Sequence, residues 1–350
     1  MDSLTHALLG LTLGALRRPD APQGTSLTPT DRAVLVAAVV AAELPDLDYL
    51  WPAGDPVLRM LKAHRGLSHS LFLAPIVALA AAGIAKALFR PARFRPVYLV
   101  SLASVLFAHL LADTWTGWGT RLFLPLTGAR SALDWMMVVD PLFTLPLLAG
   151  ALLALRKRAQ YRRWLSLGGA VAAAYLALRI GLKEYATTTV RAAYPEGAAV
   201  FVFPELLSVT RFRYVVSFGN GHAAGNVGVL ARAEEKVRDF ETYSEPPLHL
   251  RRHLYSGIYR CDSPYCRADR AGRNAPALEE AMAWARFPVV SIEGLPPLST
   301  RYRVADLRYY WDGKPTLTFV VDLDAKGEQV AARLERGGTA RELFERWLRR

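Results

Sequence analysis

Residues 97–113 read Val-Tyr-Leu-Val-Ser-Leu-Ala-Ser-Val-Leu-Phe-Ala-His-Leu-Leu-Ala-Asp, an apolar run of near-membrane length that ends in His109 and Asp113. A helix needs about 20 predominantly apolar residues to cross a bilayer core. An imidazole and a carboxylate at the end of such a run are costly unless a partner or an ion compensates them. Residues four apart share a helical face, so both groups can converge on one cation. Three more segments set the same residue types against apolar sequence: Asp2-x-x-x-His6, Pro45-Asp46-Leu47-Asp48 and His64-Arg65-Gly66-Leu67-Ser68-His69. Four of the seven histidines therefore fall in the first third of the chain.

Around this run the chain is apolar for a protein with a folded soluble part, at a mean hydropathy of +0.15. Leu71–Phe89, Val97–Ala112, Met136–Leu155 and Trp164–Leu182 approach spanning length, whereas Leu4–Leu16 and Ala33–Leu44 are short enough to re-enter or stay buried. The expected fold is a polytopic α-helical membrane domain of about six apolar helices over residues 1–182, two of them able to re-enter, followed by a soluble α+β domain over 183–350. The first run has no basic start and no cleavage site, and it is read as retained.

The net charge of +12 does not indicate nucleic acid, because its placement follows the membrane. Arg17, Arg18 and Arg32 separate the first two runs, Arg90, Arg93 and Arg95 the third and fourth, and Arg156, Lys157, Arg158, Arg162 and Arg163 the last two. The alternate loops are poorer in basic residues, as the positive-inside rule requires. Six crossings would put the N-terminus, all four polar segments and the C-terminal domain on the outer side.

Beyond Lys183, Ala199–Phe203, Ser208–Phe218 and Thr316–Asp322 read as strands separated by turn residues, and Gln329–Leu348 reads as a helix. Cys261 and Cys266 in an outside domain could close a small disulfide loop or remain two free thiols.

Imidazole mixed with carboxylate, without cysteine nearby, is a ligand set for zinc, with manganese or iron as alternatives. Pro45 is expected to hold Leu44 out of helical geometry, leaving Asp46 and Asp48 in an extended stretch and on one side of it. His64 and His69 would point roughly 140° apart on a regular helix. They suit a loop entering a helix, with Ser68 as a potential N-cap. Arg65 between them has the guanidinium fork of an anion clamp.

Met1-Asp-Ser-Leu-Thr-His6-Ala, Pro45-Asp-Leu-Asp48, His64-Arg-Gly-Leu-Ser-His-Ser70, His109-Leu-Leu-Ala-Asp113-x-x-Thr116-x-x-Gly119 and Ser131-Ala-Leu-Asp134-Trp…Val-Val-Asp140-Pro resemble the bacterial inner-membrane metal-dependent hydrolases, described as LexA-regulated and membrane-bound. The resemblance covers about residues 1–180, with Ser68 where threonine is common. It implies His6, Asp46, His64, His69, His109 and Asp113 as metal-site residues, with Asp2, Asp48, Asp134 and Asp140 as weaker candidates. It also implies a multi-pass protein of the bacterial inner membrane. A looser similarity, at the level of fold, is to zinc-dependent phospholipases C.

The expected activity is hydrolysis by a metal-activated water at the outer membrane–water boundary. Asp48 or Asp134 would be the general base and Arg65 would hold an anionic group. That location suggests membrane lipid as the surroundings and a phospholipid or lipid-linked molecule as substrate. The rival expectation is a metal-stapled scaffold without activity, whose outer domain binds an envelope partner. An ion-conducting role fits less well, because the polar residues gather at one face instead of continuing across the bilayer.

Overall fold

The computed structural model describes residues 1–17, 19–20, 26–50, 54–205, 207–218, 221–230, 237–243, 267–268, 271–272, 274–296, 299–311 and 314–337. The chain divides into two compact units: Met1–Trp51 with His64–Gly181, and Pro52–Ala63 with Leu182–Arg350. Cys261 and Cys266 lie outside the described residues.

The first unit is helical. Its helices are α1 (Ser3–Leu16), α2 (Pro29–Glu43), α4 (Ala74–Leu88), α5 (Phe94–Ala103), the single turn α6 (Ala112–Thr114) and α7 (Pro141–Arg156), with α8 (Tyr161–Ala192) beginning in it. A π-helical stretch, Ser104–Leu111, joins α5 to α6. Asp2 caps α1 by accepting the Thr5 N–H, and Thr28 with Asp31 forms a reciprocal capping box at α2.

The packing inverts the usual order of sizes. Alanines fill the helix contacts, with Ala33, Ala37, Ala41, Ala74, Ala78, Ala81 and Ala85 all fully buried. Larger apolar side chains face outward, among them Ile76, Leu79 and Leu88 on α4 and Leu142, Leu145 and Leu152 on α7. Small residues inside and large apolar ones outside suit a lipid solvent, where close backbone approach drives association. Gly10 shows the closeness: a Cβ there would lie 2.5 Å from the Ala38 carbonyl oxygen and 3.0 Å from Ser104 Oγ. On Gly168 of α8 a Cβ would lie 2.5 Å from the Pro146 carbonyl oxygen of α7. Gly168→Leu should therefore push these helices apart and destabilise by about 1–3 kcal/mol, read as a lower thermal midpoint in detergent.

Two helices are long and apolar enough to cross a membrane, Phe94–Thr114 and Arg158–Ala192, or three if the bent pair Pro56–His69 and Ala74–Leu88 makes one span. The expected six apolar crossings are not supported. At 1.5 Å per residue, helices α1, α2, α4 and α7 are about 21–24 Å long, short of a roughly 30 Å hydrocarbon core. Two of the longer sequence runs are cut back by their neighbours. Residues 71–73 form a turn before Pro75, and α7 starts only at Pro141, because proline fits the first helical turn.

The second unit is β-rich. Strands β1 (Ala199–Pro204), β2 (Arg211–Phe218), β3 (Gly221–Gly228) and β4 (Val237–Tyr243) form an antiparallel meander. A second antiparallel sheet has the order β10-β9-β6-β5, with β5 (Pro288–Leu295), β6 (Ser299–Asp306), β9 (Leu317–Leu323) and β10 (Gln329–Arg336). The short strands β7 (Tyr310–Trp311) and β8 (Lys314–Pro315) make a separate ladder. Phe203, Val215, Ala224, Phe287 and Leu307 bury one shared core, and α9 (Pro276–Trp284) packs on β6, β9 and β10.

The three strands expected from sequence are present as β1, β2 and β9. The expected helix from Gln329 is not: residues 329–336 pair with β9 from Leu323 back to Leu317. Cross-strand pairing on a half-buried surface decided the conformation there, over local helix preference. Residues 338–348 lie outside the described set. Residues 52–63, which include the single turn α3 (Pro56–Leu58), belong to this unit although they interrupt the helical one.

Candidate metal centre

Five short elements and one turn of the first unit carry the six residues implied as ligands, with His64 in the turn before Leu67. His6 lies in the first turns of α1, and His109 and Asp113 lie on the π-helical stretch and the α6 turn that follows it. Single π-type turns inside helices recur at functional sites. Asp46 sits in the 3-10 turn Leu44–Leu50, and His69 ends a second 3-10 turn, Leu67–His69.

Local geometry differs from expectation at both turns. Leu44 keeps helical dihedrals (φ −55, ψ −39), because Pro45 opens a new helical turn instead of an extended stretch. With about three residues per turn, Asp46 and Asp48 then point different ways. Asp46 faces His69 and His109, and Asp48 faces His64 and Ser68. Ser68 is not a helix cap. Its hydroxyl donates to Asp48 Oδ2 at 2.5 Å and lies 2.9 Å from His69 Nδ1.

The ligand atoms converge. His69 Nε2 lies 3.0 Å from His109 Nε2, 3.2 Å from Asp46 Oδ1 and 3.4 Å from Asp113 Oδ2. His109 Nε2 is 3.6 Å from the same Asp46 oxygen. Ligand atoms on a tetrahedral zinc with 2.0–2.1 Å bonds are separated by about 3.4 Å, so these spacings fit one cation at their centre. His6 stacks on His109 with ring centroids 4.1 Å apart and brings Nε2 to 3.3 Å from Asp113 Oδ1. His64 Nδ1 is 3.9 Å from Asp46 Oδ1. Three overlapping triads, His6–Asp46–His109, Asp46–His64–His69 and His69–His109–Asp113, each place one atom per residue within 4.8 Å of the others.

The outer partners set the tautomers. His6 Nδ1 lies 2.8 Å from the Ala108 carbonyl oxygen and His109 Nδ1 lies 2.5 Å from that of Ala42. A carbonyl only accepts, so each Nδ1 carries the proton and each Nε2 keeps its lone pair for the centre. His6 Nε2 and Asp113 Oδ2 are buried and have no hydrogen-bond partner among the described residues. Orphaned lone pairs cost free energy in a buried site, and a cation satisfies both. The donor set fits a divalent metal.

Asp48 is heavily engaged. It accepts from Ser68 Oγ and from the Arg65 N–H at 3.2 Å, lies 2.9 Å from His64 Nδ1 and approaches His69 Nδ1 at 3.3 Å. Burial works to raise its carboxyl, but the hydrogen bonds from His64 and His69 overcome this and hold it below the ordinary carboxylate range. Burial opposes ionisation of Asp46 too, yet His69 and His109 hold it down at about 2.

Arg65 is buried and donates to Asp113 Oδ1 at 2.7 Å and to Thr116 Oγ1 at 3.3 Å. Its backbone is left-handed (φ 59), an uncommon conformation for a non-glycine residue that is seen at sites which over-determine it. The Met1 amino group also meets Asp113.

The weaker candidates separate. Asp2 spends its carboxylate on Thr5, at the N–H and the hydroxyl. Asp134 is buried, left-handed (φ 53) and held in a loop whose flanking N–H groups donate to the Thr114 and Trp115 carbonyls. Asp140 accepts the Tyr175 hydroxyl at 3.1 Å on both oxygens. Sequence reasoning passed over Glu43, the last residue of α2. Burial first, then the charges of Asp46 and Asp2, raise its carboxyl to about 7. The available signal was its position just before Pro45-Asp46.

No curated protein and no solved structure matches the chain. Residues 1–186, which carry every residue of this cluster, match the YdjM inner membrane protein family, and the chain belongs to that family.

Proposed function

We propose that the chain is a membrane-bound metal-dependent hydrolase whose centre is formed by His6, Asp46, His64, His69, His109 and Asp113. The observation that carries the reading is the meeting of His69 Nε2, His109 Nε2, Asp46 Oδ1 and Asp113 Oδ2 at 3.0–3.6 Å, from segments far apart in sequence. A bound divalent ion, with zinc as first choice, would polarise a scissile group and acidify a water there.

The chain's own residues have distinct tasks. The Ala42 and Ala108 carbonyls fix the tautomers of His109 and His6, and Asp48 orients His64 and His69. Arg65 neutralises Asp113, so its guanidinium serves the ligand first and a substrate anion second. Asp48 and Asp134 remain the two carboxylates nominated as general base; Asp48 also meets four groups, so its loss would loosen His64 and His69 as well. The candidate spans and the inner-membrane family favour a multi-pass arrangement with the centre among the membrane helices. An amphiphilic substrate, a phospholipid or lipid-linked molecule, suits that depth.

Asp134→Asn should keep its metal and fold while hydrolysis of a lipid extract falls by about 10²–10⁴-fold, the range for a lost acid–base group. Asp48→Asn should lower metal affinity roughly 10–100-fold instead. Equal activity of wild type and Asp134→Asn would remove Asp134 from the reaction. The engagement of Asp48 and Arg65 in holding other residues favours one rival, a metal-stapled scaffold whose outer domain binds an envelope partner. A metallated wild type inert toward every lipid fraction would support it.

A further inference from the structure

Residues 52–63 run between the turn that holds Asp46 and Asp48 and the turn that holds His64 and His69, yet they fold with the C-terminal unit. Asp55 organises this piece. Its Oδ1 accepts the Val57 and Leu58 N–H groups at 2.8 and 3.0 Å and caps α3. Its Oδ2 accepts from Gln329 Nε2 at 2.5 Å. Gln329 opens β10, and its Oε1 accepts the Ala277 N–H at 2.9 Å, at the start of α9. Both ends of one amide are thus used, one on the inserted piece and one on the C-terminal unit. Val57 and Leu61 are fully buried, and the piece lies against α9 and β10.

Chain length decides which ligand segment feels this clamp. The π-helical turn Arg59–Ala63 ends one residue before His64. Consecutive Cα atoms are 3.8 Å apart, so the clamped piece delivers His64 with almost no slack. Asp48 is seven residues before Asp55, against one peptide bond between Ala63 and His64. His64 is also the least enclosed histidine of the centre, 9% exposed where His6, His69 and His109 are fully buried.

We propose that Asp55 and Gln329 are positioning residues for the metal centre, through which the C-terminal unit sets the approach of His64. The proposal rests on the metal-centre reading and gives the C-terminal unit a task in it: it governs how firmly the metal is held.

The test uses full-length protein in detergent and measures zinc affinity by chelator competition. Gln329→Ala is expected to weaken zinc binding roughly tenfold, as loss of an outer support does, and to have no further effect in a His64→Ala background. Gln329→Glu should weaken it too, by setting two carboxylates together. Adding Asp55→Asn to that variant should then restore it, because the introduced amide can donate to the introduced carboxylate while its oxygen still caps α3. A Gly-Ser-Gly insertion after Ala63 leaves the clamp intact and should weaken binding equally, which keeps the idea testable if Gln329→Ala fails to fold. An unchanged affinity in metallated Gln329→Ala, or a loss that adds to that of His64→Ala, would overturn the tether alone. A wild type that binds no metal would overturn the tether together with the metal centre.

Discussion

Replacing His109 by alanine is expected to strip the purified protein of its divalent metal. His109 Nε2 lies 3.0 Å from His69 Nε2 and 3.6 Å from Asp46 Oδ1, and its Nδ1 is fixed by the Ala42 carbonyl. Under the proposed assignment its removal takes away a ligand, so the loss of affinity should exceed the roughly 10–100-fold that changes to outer partners cost. The site should not rebuild itself from neighbours, since His6 stacks on the ring that would be lost. Metal content per protein, measured after dialysis against a weak chelator, reads the effect. A His109→Ala protein with the metal content of wild type would remove that residue from the centre.

The second large effect lies in the C-terminal unit, at Asp306. This carboxylate is fully buried at the end of β6. Its oxygens accept the Arg286 N–H at 2.5 Å, the Phe287 N–H at 3.3 Å and the Arg308 N–H at 2.9 Å, and it pairs with the Arg308 guanidinium at 2.9 Å. Arg308 in turn donates to the Trp284 carbonyl and lies over the Trp284 ring. Asp306→Ala leaves that guanidinium buried and three N–H groups without their acceptor. Breaking one partner of a buried pair costs about 3–5 kcal/mol, enough to unfold much of a marginal unit.

The pH dependence has a definite sign. Burial works to raise the Asp306 carboxyl, but Arg308 and the backbone N–H groups hold it below its ordinary value. Its stabilising contribution is therefore present above about pH 4, the unfolded value. It fades as the pH falls through the lower folded value. Urea melts between pH 3 and 7 should show wild type losing stability toward acid, and Asp306→Ala less stable but flatter over the same window.

The candidate ligands were legible because ionisable side chains are expensive beside apolar runs. That ground picks out the four segments, Asp2 and Asp48 included; the choice of His6, His64, His69, His109, Asp46 and Asp113 among them came from the family resemblance, and the structure groups these six in overlapping triads. Their geometry was less legible. Asp46 and Asp48 read as an extended pair, but Pro45 starts a 3-10 turn and the two carboxylates diverge, one toward the centre and one toward its outer shell. Span count was overestimated because an apolar run counts residues, whereas a span needs continuous helix. The turn at 71–73 and the loop before Pro141 cut two runs short.

Non-local pairing was invisible to the sequence. Nothing in Gln329–Arg336 announces β9 as its partner, and nothing in residues 52–63 announces that they fold with a unit beginning at Leu182. Glu43 was missed because its main perturbation is burial, which a position at the end of an apolar helix does not announce; the charges of Asp46, three residues on, and of Asp2 add to it.

The most direct test of the central claim is the X-ray absorption spectrum of the metal retained by wild-type protein in detergent, with its stoichiometry measured on the same sample. At least one divalent ion per chain is expected, with a shell of nitrogen and oxygen only and with the outer-shell scattering of several imidazoles. Sulfur in the first shell, a shell without imidazole, or the absence of stoichiometric metal would contradict it.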